Sequence, residues 1–467
     1  MTYPTSAYIH IPFCSSKCFY CAFISTVNTK LELGYLIALL KDIDTNYMGN
    51  ELKTLYFGGG TPSILPIEHV KKIINKFNLA QKAEVTFELN PEHATIEYLS
   101  NLKNLGINRL SIGIQTFDDK ILEKIGRNHT ANEAIEAVQM AQQAGFDNIS
   151  VDLIYGLPTQ TLEDFESDLK KIKKLGINHV SLYGLKIEEN SVFGKISPKD
   201  LPDDDLQADM YLKAIEILDD FNHYEISNFA KSGFESKHNT TYWRNEEYYG
   251  FGCSAHGYEN GVRYANSFNI HKYLENPLTR DFGHTETQQE KLEEEIFLGF
   301  RLKEGLHVHN INSKFNIDFE KKYNNILNKY LKTNHIKRTA EGYALTDQGF
   351  LMVSGINANV GFQGGINTAT NARPYMAQQY QYAGAPTADT VEIAGKKKGS
   401  VAKKGIIGTI VGVAVAAAAL YAGVKSGKLK EVANPTKWTE KLQNLAFKGG
   451  KGVETGVEYV ATKGKDV

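Results

Sequence analysis

Between residues 96 and 181 the chain runs three times through one cycle of apolar and polar positions. Amphipathic stretches at Ile96–Leu105, Ala131–Ala144 and Leu162–Leu175 each end at a glycine with an apolar run behind it. The junctions are Gly106-Ile107-Asn108-Arg109-Leu110-Ser111, Gly145-Phe146-Asp147-Asn148-Ile149-Ser150 and Gly176-Ile177-Asn178-His179-Val180-Ser181. A glycine where a helix stops, followed by a β-rich run, is the helix-to-strand half of a βα unit. Thr161 with Asp164 spells a capping box at the start of the third helix. Ala7–Ile11, Thr54–Phe57 and Val85–Glu88 read as further strands. Alternating strands and helices imply a parallel sheet with right-handed crossovers. Six such strands fit before residue 190. The expectation is an α/β chain on a partial (β/α)6 barrel, its chemistry at the C-terminal strand ends.

The barrel is expected over residues 1–200, with a small α+β extension over 201–287. Helices at Gln288–Leu302 and Asp318–Leu331, then a hairpin of Ile336–Thr339 and Tyr343–Thr346, predict a winged-helix-like module over 288–356. Near Gly355-Ile356-Asn357-Ala358 the text turns Gly/Ala/Lys-rich, so 357–467 reads as a separate low-complexity tail or the far side of a fusion.

Charge sharpens that seam. The chain of 467 residues carries a net −2, but 361–467 alone hold 15 Lys/Arg and 7 Asp/Glu. The rest is therefore acidic, which argues against DNA or RNA as a partner for the winged-helix-like module. Four cysteines in such a length exclude a disulfide-stapled secreted scaffold. Met1 to Phe13 has neither a basic nor a long apolar region, so no signal peptide is expected and a cytoplasmic setting is the default.

Three of the four cysteines fall in eight residues, Cys14-Ser15-Ser16-Lys17-Cys18-Phe19-Tyr20-Cys21, directly after a predicted strand. Buried packing thiols are one reading of this cluster. A structural zinc is another, but zinc wants four ligands, and Cys253 is distant while His10 would have to enter from the strand. A [4Fe–4S] cluster on Cys14, Cys18 and Cys21 fits best, because three thiolates leave one iron open to a small ligand.

Tyr8-Ile9-His10-Ile11-Pro12-Phe13 with the Cys-x3-Cys-x2-Cys that follows resembles the opening of the radical S-adenosylmethionine (SAM) enzymes, in the oxygen-independent coproporphyrinogen III oxidase group. The resemblance covers roughly residues 3–355. It implies that the open iron is chelated by SAM, and that the protein orients and shields the cofactor. Tyr8 belongs to the SAM-binding set it implies. Tyr56-Phe57-Gly58-Gly59-Gly60-Thr61-Pro62-Ser63 resembles the Gly-Gly-Thr-Pro motif, which gives Gly59, Gly60 and Thr61 a place beside the SAM amino group. Glu88 matches the SAM-contacting glutamate, and Gln115 follows the next strand. Arg127 matches the arginine that meets the SAM carboxylate, and Asp152 the ribose-binding aspartate.

Two local features divide that group. Phe23 stands where the decarboxylating oxidases carry a fourth cysteine, and His238-Asn239-Thr240-Thr241-Tyr242-Trp243 resembles the His-Asn-x-x-Tyr-Trp motif of the heme chaperones known as HemW. That resemblance implies a heme carried near 238–243 with His238 as leading ligand, a heme-acceptor protein of unknown identity, and an electron donor for the cluster. The alternatives are a surface histidine at 238, a SAM-dependent coproporphyrinogen III oxidase, and a purely structural cluster. Cys253 reads as a small buried thiol, with His256 as a minor ligand candidate.

In the tail, 405–424 is 20 residues without a charge, flanked by Lys403, Lys404 and Lys425. As a helix it would span about 30 Å, the thickness of a bilayer core. Gly408, Gly412 and Ala416 repeat at the small-x-x-x-small spacing of packed membrane helices. A membrane-contacting helix is expected, with a self-associating or buried helix as the alternative.

Overall fold

The computed structural model describes residues 3–353. The expected alternation is present, as β1 Ser6–Ile11, α1 Glu32–Asn46, β2 Leu52–Gly59, α2 Ile67–Ile74, β3 Leu79–Leu89, α3 Ile96–Asn104 and β4 Arg109–Gln115. It continues through α4 Asp119–Lys124, α5 Ala131–Gln143, β5 Asn148–Tyr155, α6 Leu162–Lys174 and β6 His179–Gly184. β1 to β6 pair in parallel, each with the next. The expected box at Thr161 and Asp164 closes the N-terminus of α6, and Thr130 with Glu133 makes a second at α5.

Register explains what the barrel is for. The alternating residues Ala7, Ile9 and Ile11, Leu55 and Phe57, Leu110, Ile112 and Ile114 join helix residues such as Leu99, Leu102 and Ala134 in one core. The intervening positions are polar, as in Ser6, Tyr8 and His10, Glu84, Thr86 and Glu88, or Ser150 and Asp152. A side-chain period of two sends these to the opposite face. Parallel sheets covered on both faces are usually apolar on both; here the inner face is polar because it lines a crevice.

The extension does not stand apart from the sheet. After α7 Val192–Ile196 and α8 Asp204–Ile217, strands β7 Asn222–Glu225 and β8 Asn228–Ala230 add antiparallel beyond β6. Past α9 Lys237–Trp243, strand β9 Tyr249–Phe251 pairs in parallel with β1 at the other edge. The sheet thus has nine strands in the order β7-β8-β6-β5-β4-β3-β2-β1-β9, and strands from both sides of residue 200 belong to it. Strands β10 His256–Glu259, β11 Val262–Asn266 and β12 Arg280–Thr285, with α10 Ile270–Glu275 before the last, form a separate antiparallel sheet.

The C-terminal module comprises α11 Gln288–Gly299, β13 Leu306–His307, α12 Val308–Phe315, α13 Phe319–Lys332, β14 Ile336–Arg338 and β15 Gly342–Leu345. The expected hairpin is present; the two-residue β13, too short to show a period, completes a three-stranded sheet. The tail 357–467 and its apolar segment 405–424 lie outside the described residues.

Candidate functional site

Successive strand ends of the barrel open on one crevice. Cys14, Cys18, Cys21, Tyr8, Gly59, Gly60, Thr61, Glu88, Gln115, Arg127, Asp152 and His238 all line it. Every residue to which the sequence assigned a cofactor or metal role thus shares a single cavity.

The cysteines sit on a loop that leaves β1 and is pinned at its root. Cys14 N–H donates to Thr26 O at 3.0 Å and Thr26 N–H to Pro12 O at 2.7 Å. Lys17 spans the loop, donating to Phe23 O and, at 3.0 Å, to Ser25 Oγ. Thr61 Oγ1 approaches Cys14 Sγ at 3.6 Å and Arg127 Nη1 approaches Cys18 Sγ at 3.5 Å. Burial pushes the Cys21 thiol up to about 11, so it stays protonated until a metal displaces the proton. Among the described residues no three of His, Cys, Asp and Glu converge on one metal ion. An iron–sulfur cluster makes a different demand, since each thiolate binds its own iron, and an all-sulfur donor set suits it.

The glycine run is fixed by close approach. A Cβ on Gly60 would stand 2.6 Å from Phe13 O and 2.8 Å from Ile11 O, both backbone atoms. Gly59 has φ +109°, and its N–H donates to Glu88 Oε2 at 3.2 Å. Tyr56 hydroxyl donates to Glu88 Oε1 at 2.9 Å. Burial, reinforced by Asp152, holds Glu88 up at about 8 despite these donors. Ser111 Oγ lies 3.0 and 3.1 Å from the two Asp152 oxygens, and burial raises Asp152 as well. Arg127 is locked by Nη2 donating to Asn90 Oδ1 at 2.9 Å and Gly113 O at 2.7 Å.

Some buried polar atoms of the residues that line the crevice have no hydrogen-bond partner. Gln115 Oε1 and Arg127 Nε are buried and unbonded, although buried polar groups are ordinarily satisfied. Gln115 sits at φ +72° where β4 slips register against β5, which turns its side chain into the crevice. An acceptor, a donor, two carboxylates and a glycine cradle around one space fit a small zwitterionic ligand with hydroxyls, as SAM is.

The other end of the crevice is built by α9. Ser236 caps it, its side chain accepting from Asn239 N–H. Glu84 on β3 accepts from Lys237 N–H and His238 N–H, each at 3.0 Å. Thr241 Oγ1 meets Ser6 Oγ at 3.1 Å. These bonds lay the helix across the polar inner face of the sheet. His238 is 1% exposed, so it is no surface histidine. Its Nδ1 is 2.8 Å from Thr54 Oγ1 and its Nε2 is 2.7 Å from the Tyr242 hydroxyl. Burial, helped by the charge of Arg109, lowers it to about 3, so the ring is neutral. Its ring stacks on Tyr56 at 5.0 Å between centroids. Tyr242, Trp243 and His256 line the same crevice, whereas Cys253 is buried and donates to Ser267 O at 3.1 Å, as a packing thiol does.

Sequence reasoning missed Ser227, Asn228 and Ser254, which also line the crevice. Their neighbours spell no motif. Strand addition at the sheet edge brings Ser227 and Asn228 there, which no local pattern announces.

The Radical SAM superfamily profile matches residues 8–182, and that of the HemN C-terminal domain matches 287–352. The heme chaperone HemW of Lactococcus lactis is 40% identical over 358 residues, covering 74% of this chain and 94% of the relative. HemW of Bacillus subtilis is 37% identical over 365 residues, covering 74% and 96%. Among solved structures, the coproporphyrinogen III oxidase HemN of Escherichia coli superposes with a TM-score of 0.69 at 23% identity, over 77% of this chain and 90% of that one. With that fold, that crevice and these relatives, the chain belongs to the radical SAM superfamily and, within it, to the HemW family.

Proposed function

We propose that this protein is a heme chaperone that holds a [4Fe–4S] cluster and SAM in the barrel and carries heme beside α9 for delivery to an acceptor protein. One observation carries the reading: the cysteine loop, the SAM-type wall and the His-Asn-x-x-Tyr-Trp helix line one crevice. Cys14, Cys18 and Cys21 would hold the cluster. Gly59, Gly60, Thr61, Glu88, Gln115, Arg127 and Asp152 would hold SAM, with Tyr8 backing Tyr56 at 6.0 Å between centroids. Bound there, cluster and SAM supply a one-electron route to cleavage of the sulfonium. The chain's own residues close the loop, fix Arg127 and keep Glu88 dry.

Phe23, in place of a fourth cysteine, supports a carrier over a decarboxylating oxidase. Anaerobic incubation of reconstituted protein with reductant, SAM and coproporphyrinogen III tests this. Stoichiometric heme binding with no protoporphyrinogen is expected; turnover would overturn the chaperone reading.

No helix among the described residues is long and apolar enough to cross a membrane. Segment 405–424 is the proposed membrane contact. Equal recovery of the full chain and a version ending at Ala358 in the soluble fraction of expressing cells, at low and high salt, would rule it out.

A further inference from the structure

The two ring nitrogens of His238 are both spoken for. Thr54 Oγ1 on β2 stands 2.8 Å from Nδ1 and the Tyr242 hydroxyl 2.7 Å from Nε2. The ring is further clamped between Tyr56, stacked at 27°, and Tyr242, edge-on at 85°. Its helix is anchored by Glu84 through the N–H of His238 itself. An imidazole so held must break a buried hydrogen bond and leave its stack to reach a metal. Tyr242 is the more exposed of the pair, at 9% against 1%, and its ring lines the crevice.

Tyrosine is an established axial ligand for heme iron, and the hydrogen bond behind a ligand sets its orientation and basicity. We propose that Tyr242 Oη, not His238, is the donor atom offered to ferric heme, and that His238 is the positioning residue behind it, held in place by Thr54.

The inference rests on the heme-carrier reading above. On binding, Tyr242 forms the oxygen–iron bond as its O–H bond breaks and the proton leaves to solvent; no oxidation state changes. The imidazole stays hydrogen-bonded to Tyr242 Oη throughout. With its hydrogen on Nε2 it donates to the phenolate, while Nδ1 accepts from the Thr54 hydroxyl. Thr54, as a hydroxyl, can serve either tautomer.

The test is a titration of ferric heme into the cluster-reconstituted full chain, read by difference absorption and resonance Raman. Wild type is expected to show a phenolate-to-iron charge-transfer band and phenolate ring modes. Tyr242→Phe, which keeps the ring packing, should lose both signatures while retaining its iron–sulfur content. His238→Ala should keep the phenolate modes with affinity weaker by about 10- to 100-fold. His238→Gln, whose amide can still donate, should recover part of that loss. Imidazole-type spectra in wild type that survive Tyr242→Phe and vanish in His238→Ala would overturn the assignment. Failure of wild type to bind heme at all would instead overturn the carrier reading on which it rests.

Discussion

Glu88 is a carboxyl whose surroundings oppose its charge. In the folded chain it sits at about 8 against an ordinary 4.5. Between those values the folded state binds more protons than the unfolded one, so stability attributable to Glu88 is present at low pH and is lost as pH rises through about 8. Without ligands, the fall in denaturation midpoint from pH 5 to pH 8.5 should be steeper for wild type than for Glu88→Gln. Parallel pH profiles of the two would contradict the placement of this carboxyl in a dry wall. The cysteines are told apart in the same way. Cys14→Ser, Cys18→Ser or Cys21→Ser should each abolish the broad visible absorption of the reconstituted cluster, while Cys253→Ser, buried behind β9, keeps it. A cluster lost with Cys253 and kept without Cys18 would refute the assignment.

Elements set how much a single residue can do. The glycine run at the end of β2 passes under the root of the cysteine loop, where Gly60 N–H donates to Ile11 O at 2.8 Å and Thr61 N–H to Phe13 O at 2.7 Å. A methyl group on Gly60 has only backbone to push against. Gly60→Ala should therefore impair both the cluster and SAM binding, read by iron content and calorimetry. Normal values for both would show that the two segments can part freely. Helix α9 depends likewise on a neighbour from another element. Glu84→Ala strips the acceptor from the buried His238 N–H and the part-buried Lys237 N–H and should destabilise the protein by about 1–3 kcal/mol in chemical denaturation. It should also weaken heme binding, because the helix that carries His238 and Tyr242 loses its anchor. An unchanged denaturation midpoint would mean that Ser236 alone caps the helix.

Across the whole molecule, the barrel and the extension share one nine-stranded sheet, with β9 laid against β1 and β8 against β6. One sheet should unfold as one. In a Trp438→Phe variant, the fluorescence of Trp243 should follow the same denaturation midpoint as the far-UV dichroism. Two separated transitions would show the extension to be an independent unit. The sequence by itself determined the repeating unit and the cysteine loop, because helix stops, capping boxes and a tight cysteine triplet are local signals, whereas the strand-end residues were named through the motifs they resemble. Thr161 with Asp164, the triplet at Cys14, Cys18 and Cys21, and the run through Gly60 are legible in this way. Other features were decided only by tertiary structure. That β9 adds beside β1 and β8 beside β6 depends on which edges meet after the chain has closed on itself. That Gln115 faces the crevice depends on a register slip between β4 and β5. That His238 is buried depends on Thr54 and Glu84 arriving from two strands to meet the helix that carries it. Sequence can name the residues that are able to bind; only the packed structure settles which of their atoms are already engaged, since hydrogen-bond partners are chosen by distance in space and not along the chain.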